Sequence, residues 1–261
     1  MDDGKNLCFT ETKLSNWHDS MSGSPTFSPL YRQIKALLLQ ALDAGEWRPG
    51  AAIPSESELA VRYSVSQGTV RKAIDELATE KLLIRRQGKG TFVATHNDPR
   101  QFFRFLRLVP TNGEVTPARS VPLECWQAKA GPEPARMLDV PHGAPLIVVR
   151  RVLQFNKRNV VGDEIYLPAE PFRGLDMDML KAHEGSLYSL FEAKFGVHMI
   201  RAQERVRAVL ADREGSELLG VEEGSPLLSV ERISYTYGDR PMEWRRGLYS
   251  TVDHCYLNEL N

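Results

Sequence analysis

The first periodic segment of the chain carries an apolar side chain at every third or fourth position. Between residues 30 and 42 these are mostly leucines, and the pattern stops before Gly45. This spacing predicts a helix with one apolar face, in which Ser28 is the N-cap and Pro29 occupies the first helical position. Residues 1–28 have no helical or strand period and are rich in small polar side chains, which predicts a flexible leader.

Two shorter helices are predicted next. Ser55 is followed three residues later by Glu58, the pattern of a capping box, and the helix that it opens is expected to end at Tyr63. Ser66 is placed to cap a third helix, whose apolar residues recur at the i, i+3, i+4 and i+7 positions from Val70. The opposite face of this third helix carries Gly68, Arg71 and Lys72.

A hairpin follows the third helix. Residues 82–86 and 91–93 have the composition of short strands, and Gln87-Gly88-Lys89-Gly90 joins them with glycines that permit positive φ. Three helices followed by a hairpin is the element order of a winged helix-turn-helix.

From about residue 104 the pattern changes to longer strand-like runs interrupted by proline and glycine. A helix end, a Gly-x-Pro turn and a strand that begin at Leu138 recur from Leu219, at an offset of 81 residues. A second strand follows in each copy, and two such hairpins side by side predict an antiparallel sheet with helices on one face, an α+β domain. These second strands are expected at 160–167 and 242–250, and two more helices at 176–182 and 186–195.

Composition describes an ordinary globular protein. The 261 residues suggest two domains of the usual ~100 to 200 residues, and the net charge is -1. No apolar run approaches the ~18 residues of a membrane helix, and the N-terminus lacks a signal-peptide layout, so we expect a cytoplasmic protein without a membrane partner. The three cysteines form no Cys-x-x-Cys pair and the six histidines have no metal-ligand spacing, so we expect no disulfide framework, metal or cofactor.

The near-zero net charge conceals an asymmetry. Residues 29–65 hold four basic and four acidic side chains, whereas residues 66–93 hold six basic and three acidic ones. The positive excess therefore lies on the third helix and the hairpin, the two elements that a winged helix presents to DNA. Contacts to phosphates would supply affinity that is independent of sequence and decreases with salt. A solvated charged face is the alternative explanation of the count taken alone.

The N-terminal motifs resemble those of a known family. The DNA-binding domain of GntR-family bacterial transcription regulators contains, in the same order, motifs similar to Ile53-Pro54-Ser55-Glu56-x-Glu58-Leu59-Ala60, Val65-Ser66-x-x-Thr69-Val70-Arg71 and Arg86-Gln87-Gly88-Lys89-Gly90-Thr91-Phe92-Val93. The resemblance covers residues 29–94 and implies a homodimer whose third helices enter successive major grooves of a palindromic operator. It implies DNA contacts from Ser55, Ser57, Ser66, Gln67, Gly68, Thr69, Arg71, Arg86, Gln87, Gly88 and Lys89.

Two of these positions depart from the family pattern. Members commonly carry arginine where this chain has Ser57 and Gln67. Because arginine is the usual bidentate reader of guanine and glutamine suits adenine, the departures predict an operator that differs from the family's usual sequence.

The second half resembles the UTRA effector domain of the HutC branch of this family. The similar motifs include Leu167-Pro168, Ser186-Leu187-Tyr188, residues 208–212 and Arg240-Pro241-x-Glu243. Residues 95–103 would then be a linker and 104–261 the effector-binding domain, with a fold similar to that of chorismate lyase. The resemblance implies an effector pocket over the sheet, lined by Arg151, Asp163, Tyr166, Glu243, Arg246 and Tyr249.

Arg151 bears on the chemistry of the effector. Related sensors of sugar phosphates hold the phosphate with two arginines two residues apart, but the second position here is Leu153. Without that charged fork, a carboxylate or another small polar metabolite is favoured over a sugar phosphate. Arg151 also needs a partner, because an unpaired buried charge is costly, and the partner is either Asp163 or an anionic group of the effector. Glu243 and Arg246 could instead pair across neighbouring strands.

The resemblance, together with the helix order and the charge distribution, implies an effector-responsive, sequence-specific DNA-binding repressor that is not an enzyme. Two alternatives differ in class. The chorismate-lyase-like domain could turn over its ligand, although a shared fold does not imply a shared activity. A DNA binder without a ligand is the other alternative.

Overall fold

The structure is a computed structural model that describes residues 28–97, 105–112 and 117–258. The predicted leader therefore lies, apart from Ser28, outside the described residues. The first part consists of three helices and a hairpin in the predicted order: α1 (Leu30–Asp43), α2 (Glu56–Arg62), α3 (Gln67–Thr79), β1 (Leu83–Arg86) and β2 (Gly90–Val93).

Local capping explains where these helices begin. Ser55 Oγ accepts a hydrogen bond from the N–H of Glu58, whose carboxylate accepts one from the N–H of Ser55 at 2.8 Å, so the predicted capping box is confirmed. Ser66 caps α3 in the same way. The prediction for α1 was wrong by one residue: Pro29 itself is the N-cap, because its extended backbone (ψ 139°) places the first helical turn after it.

One apolar core joins the three helices and the hairpin. The predicted face of α3 is fully buried and packs against α1, α2 and both strands. Tyr237, from a short 3-10 turn far along the chain, also packs into this core. The helical core is therefore completed by a side chain of the second half.

The second half contains eight strands and four helices among the described residues: β3 (Leu108–Pro110), β4 (Arg119–Lys129), α4 (Pro132–Leu138), β5 (Pro145–Phe155), β6 (Arg158–Pro168), α5 (Met177–Ala182), α6 (Leu187–Phe195), β7 (Arg201–Leu210), α7 (Arg213–Leu219), β8 (Pro226–Tyr235), β9 (Pro241–Ser250) and β10 (His254–Tyr256). Six of the strands form one antiparallel sheet in the order β4-β5-β6-β9-β8-β7, and β3 and β10 form a separate pair.

The sequence repeat is a structural repeat. Each copy consists of a helix, a turn and a hairpin, and the two hairpins meet where β6 pairs with β9. The turn glycines are equivalent: Gly143 (φ 80°) donates to Ala130 O and Gly224 (φ 82°) donates to Ala211 O, both at 2.8 Å.

Helices cover both faces of the sheet, so the predicted single helical face was wrong. Ile147 and Val149 of β5 pack with α5 and α6, whereas Leu146, which points to the other side, packs with α4. We call these the α5–α6 face and the α4–α7 face. The unbroken apolar run at 146–149 is the signal of a strand covered on both sides.

The two repeats exchange their helices. Helix α7 of the second repeat lies on β6 of the first, where Asn159 Nδ2 donates to Leu218 O at 2.8 Å and a Cβ at Gly162 would collide with the Leu218 side chain. Helix α4 of the first repeat packs on β9 of the second, with Leu138 and Trp244 in one cluster. Across the stretches that the structure describes, we find no helix with the length and apolar character to span a bilayer.

Candidate functional site

The first candidate site is the outer side of α3 together with the hairpin turn. In the turn, Gly88 and Gly90 adopt positive φ (70° and 107°), and Lys89 N–H donates to Arg86 O at 2.9 Å. Thr69 is half-buried and bonded to Ser66 Oγ. The other sequence-predicted residues of this site are solvent-exposed: Ser55, Ser57, Ser66, Gln67, Gly68, Arg71, Arg86, Gln87, Gly88 and Lys89.

A carboxylate absent from the predicted set lies among these residues. Glu56 Oε2 accepts from Arg71 Nε at 2.9 Å and lies 3.4 Å from Gln67 Nε2, while Glu56 Oε1 accepts from Arg85 Nη1 at 2.9 Å. Arg85 is held further by Asp75 Oδ1, at 3.0 and 2.7 Å. Burial alone would raise the pKa of Glu56, but the hydrogen bonds from Arg85 and Arg71 leave it below its ordinary value. The carboxylate is therefore ionised at neutral pH.

The second candidate site is a buried cluster of charges on the α5–α6 face. Arg151 donates through Nε and Nη2 to Asp163 Oδ2, at 3.1 and 3.0 Å, and through Nη1 to Ser120 Oγ at 3.2 Å. Arg245 donates to the same Asp163 oxygen at 3.1 Å and holds Glu243 with two bonds of 3.0 and 2.9 Å. The positive charges of the two arginines thus balance the negative charges of the two carboxylates within the sheet.

The carboxylate of Asp163 is used asymmetrically. Its Oδ2 accepts all three arginine bonds, whereas Oδ1 is buried and has no partner among the described residues. Gly247 lies directly opposite on β9, and a Cβ there would come within 2.9 Å of Oδ1 and 2.5 Å of Tyr249 Cε1. A buried acceptor without a donor costs about 1–3 kcal/mol, so a ligand group that donates to Oδ1 would recover this energy.

Two buried tyrosines border the cluster. Tyr188 OH donates to Glu243 Oε1 at 2.8 Å and lies 2.8 Å from Ser234 Oγ. Burial raises the pKa of both Tyr188 and Tyr249, and neighbouring carboxylates raise them further. Tyr188 therefore keeps its proton and remains a donor at neutral pH.

Comparison with known proteins identifies both parts of the chain. Residues 118–253 match the UTRA domain, and residues 30–93 match the bacterial regulatory proteins of the gntR family. The HTH-type transcriptional regulator Rv0792c of Mycobacterium tuberculosis is 30% identical over 232 residues, which are 86% of this chain and 81% of that protein. The chain belongs to the GntR family.

Two further relatives of this GntR regulator match different shares of its length. The ligand-binding domain of a GntR-family regulator from Bordetella bronchiseptica is 51% identical, with a TM-score of 0.59, over 60% of this chain and 98% of that one. The mannosyl-D-glycerate transport/metabolism system repressor MngR of Escherichia coli is 26% identical over 236 residues, 87% of this chain and 94% of that protein.

Two of the six predicted effector residues of the GntR regulator do not share a face of the sheet with the other four. Tyr166 and Arg246 belong to the α4–α7 face, because side chains alternate along a strand and Glu243, Arg245, Gly247 and Tyr249 occupy the other side. Tyr166 OH donates to Glu164, and burial together with Glu164 raises the pKa of Tyr166 to about 12. Glu243 and Arg246 do not pair with each other, since both lie on β9, but Arg246 lies opposite Glu164 and Glu231 on the two neighbouring strands, as the alternative explanation allowed.

Arg246 instead belongs to a row of alternating charges that crosses all six strands of the α4–α7 face. Each member lies opposite the next in the strand register, with acidic and basic residues in turn. The row is Glu124, Arg150, Glu164, Arg246, Glu231 and Arg205.

Sequence reasoning missed several members of the buried cluster. Arg232 lies at the same offset of 81 residues from Arg151 as the rest of the repeat, and it is bound by Glu204 at 2.7 Å. Arg245 could have been found from the strand period, two residues from Glu243. Tyr188 comes from α6, and nothing in the strand pattern places it over the sheet.

Within the described part of the chain, no group of three or more His, Cys, Asp or Glu side chains could hold a metal ion.

Helix α6 connects the buried cluster with the residues that follow the hairpin. One turn after Tyr188, Glu192 accepts from the N–H of His96 at 2.9 Å and from the hydroxyl of Thr95, and its Oε2 lies 3.5 Å from His198 Nδ1. The rings of His96 and Phe105 lie 5.4 and 5.1 Å from the Tyr188 ring, centroid to centroid. Tyr188 thus contacts the charged cluster and also His96 and Phe105, one from each half of the chain.

Proposed function

We propose that this GntR regulator is a homodimeric repressor of the bacterial cytoplasm that leaves a palindromic operator when a small metabolite binds on the α5–α6 face. The single observation that carries the sensor half is the buried cluster of Arg151, Asp163, Arg245 and Glu243, in which Asp163 Oδ1 is unpartnered among the described residues. Most buried polar atoms have a hydrogen-bond partner, so the unpartnered Oδ1 favours a ligand donor at this position.

The proposed DNA surface consists of Gln67 and Arg71 on α3 and Lys89 in the hairpin turn. Arg71 uses only Nε within the described residues, so its two terminal nitrogens are available as a fork for a guanine edge. Lys89 is exposed at the tip of the hairpin and suits a phosphate contact. In the proposed dimer, two such surfaces would face successive major grooves.

The proposed effector is a small, uncharged or weakly charged metabolite with hydroxyl or amino donors. Each arginine of the cluster already has a carboxylate partner, and Leu153 lies in an apolar cluster rather than beside Arg151 as a second cationic group. A phosphate dianion would have to displace these carboxylates, whereas a donor group would satisfy Asp163 Oδ1. One relative is named as the repressor of a mannosyl-D-glycerate transport/metabolism system, and this name supports a sugar derivative, a class of compound rich in such donors.

The proposed signal runs through α6. An effector that competes for Glu243 or Asp163 would change the hydrogen bond of the Tyr188 hydroxyl, and Glu192 on the same helix holds Thr95 and His96 directly after the hairpin. Movement of α6 would therefore shift the DNA-binding half. Reciprocal linkage then requires that the effector bind less tightly when operator is present.

The test is a thermal-shift screen of the full chain against polyols, sugars, amino sugars and sugar acids, each beside its phosphorylated counterpart. A ligand that binds only the folded state raises the melting temperature, and the hit is expected to weaken operator binding. Gly247→Ala, which places a Cβ beside Asp163 Oδ1, is expected to abolish the shift. A larger shift with phosphorylated compounds would contradict the effector class, and a hit that leaves operator binding unchanged would contradict the sensor.

A lyase-type activity is the remaining alternative. Incubation of the full chain with its bound ligand, followed by analysis for product, distinguishes a sensor from an enzyme. We expect the ligand to be recovered unchanged.

A further inference from the structure

We propose that Glu56 is a positioning residue for DNA reading, whose carboxylate fixes the direction of the Arg71 guanidinium before DNA is bound. The proposal rests on the proposed DNA surface, in which Arg71 contacts a base edge. Glu56 belongs neither to α3 nor to the hairpin, the two elements expected to contact DNA.

The geometry links three elements through one carboxylate. Glu56 is the first residue of α2, and its two oxygens each bind a different arginine at 2.9 Å, Arg71 of α3 and Arg85 of β1. Arg85 returns to α3 through Asp75. The path Asp75, Arg85, Glu56, Arg71 therefore closes on the helix from which it started.

Burial distinguishes Glu56 from the arginines that it holds. Its side chain is 13% exposed, against 57% for Arg71 and 41% for Arg85. In this arrangement the mostly buried Glu56 can hold the exposed Arg71 guanidinium in one direction, while Arg71 itself contacts the DNA. Because Glu56 binds only Nε of Arg71, the terminal nitrogens keep the geometry needed for two parallel hydrogen bonds to guanine.

Two physical effects of Glu56 have opposite signs, and this makes the proposal testable. A negative charge near the phosphate backbone weakens binding to any DNA sequence. A fixed Arg71 strengthens binding only to the correct base. Removal of the charge should therefore raise affinity for scrambled DNA while it lowers the preference for operator.

The experiment compares full-length wild type with Glu56→Gln and with the matched control Glu58→Gln. Glu58 lies on the same helix, and glutamine also serves in a capping box, so the control removes an equal charge without touching Arg71. Affinities for an operator selected from random DNA and for its scrambled sequence are measured at several salt concentrations. Glu56→Gln is expected to lower the operator-to-scrambled ratio about tenfold, the scale of one well-oriented bidentate contact, and Glu58→Gln to leave it unchanged. An unchanged ratio in Glu56→Gln would overturn the proposal.

Further variants distinguish the position of the Glu56 carboxylate from its charge. They also distinguish the positioning role of Glu56 from the proposed DNA surface on which it rests. Glu56→Asp keeps the charge with a shorter reach, so its ratio should fall as well, and a wild-type ratio would show that charge alone matters. Glu56→Gln combined with Arg71→Ala should lose no more selectivity than Arg71→Ala alone, whereas additive losses would mean that Glu56 acts independently of Arg71. If Arg71→Ala leaves the ratio unchanged, the DNA surface itself is wrong. If Arg71→Ala lowers the ratio but Glu56→Gln does not, only the positioning role fails.

Discussion

At the scale of single residues, neighbours on one strand can have opposite energetic roles. Arg151 is buried between Asp163 and Ser120, whereas Arg150 points to the other face and belongs to the partly exposed row of charges. A buried arginine has lost its hydration and depends on its carboxylate partner to stabilise the charge. A partly solvated arginine that loses its partner can bind water instead.

This difference predicts the effect of truncation at each position. Arg151→Ala leaves Asp163 with one arginine and is expected to lower the free energy of unfolding by about 3–5 kcal/mol. The matched change Arg150→Ala is expected to cost about 1 kcal/mol or less. Urea unfolding of both variants measures the two values. Equal losses of unfolding free energy would show that the buried Arg151–Asp163 pair contributes no more to stability than Arg150 does in the row of charges on the α4–α7 face.

Gln67 lies on α3, the helix proposed to read DNA, at a position where the sequence predicts a departure from the family pattern. It is exposed on α3 next to the carboxylate that holds Arg71. Gln67→Arg is expected to shift the preferred base toward guanine at one position of each half-site, because arginine matches the two acceptors of guanine. Selection from a random DNA pool checks this, and an unchanged preference matrix would place Gln67 out of reach of the bases.

At the scale of elements, α6 is expected to transmit the effector signal. Tyr188→Phe keeps the ring between His96 and Phe105 but removes the hydrogen bond to Glu243. We expect operator affinity without effector to stay within about threefold of wild type, and release by effector to weaken at least tenfold, since a hydrogen bond to a charged group contributes about 1.5–3 kcal/mol. Operator binding with and without effector measures both. Normal release would exclude this route.

The elements also show what a sequence can and cannot reveal. The caps at Ser55 and Ser66 and the turn at Gly88 were predicted correctly because each depends on neighbours within a few residues. The six predicted effector residues do not share one face, because their selection followed motif position and ignored the alternation along β6 and β9. The exposure of most residues predicted to contact DNA was foreseeable, but the contact of Glu56 with two arginines depends on how three elements pack.

At the scale of the whole molecule, side chains of the two halves contact each other directly. Tyr237 packs into the helical core, and Arg240 nearby binds Asp43 of α1 at 3.0 Å. The DNA-binding half is therefore stabilised by contact with the effector half, and a displacement of one half is transmitted to the other through these contacts.

Removal of the Tyr237 side chain should uncouple the halves. An aromatic-to-alanine change in a core costs about 3–5 kcal/mol, and here the lost contacts lie between halves, so Tyr237→Ala is expected to divide thermal unfolding into two transitions. Tyr235→Ala, at the end of β8 just before the 3-10 turn and only half-buried, is the control and should leave one transition. Calorimetry distinguishes the two results. A single transition in Tyr237→Ala would mean that other contacts suffice.

The exchange of α4 and α7 between the repeats bears on how the sheet could have arisen and how it assembles. Each helix lies mainly on a strand of the other repeat, α4 on β9 and α7 on β6, and has fewer contacts with its own. We expect an ancestral single repeat to have covered its sheet fully only as a pair of identical chains, which gene duplication would then have fused. The same geometry favours complementation: two polypeptides cut after Gly196 should aggregate when alone, yet recover the native fold when they are renatured together.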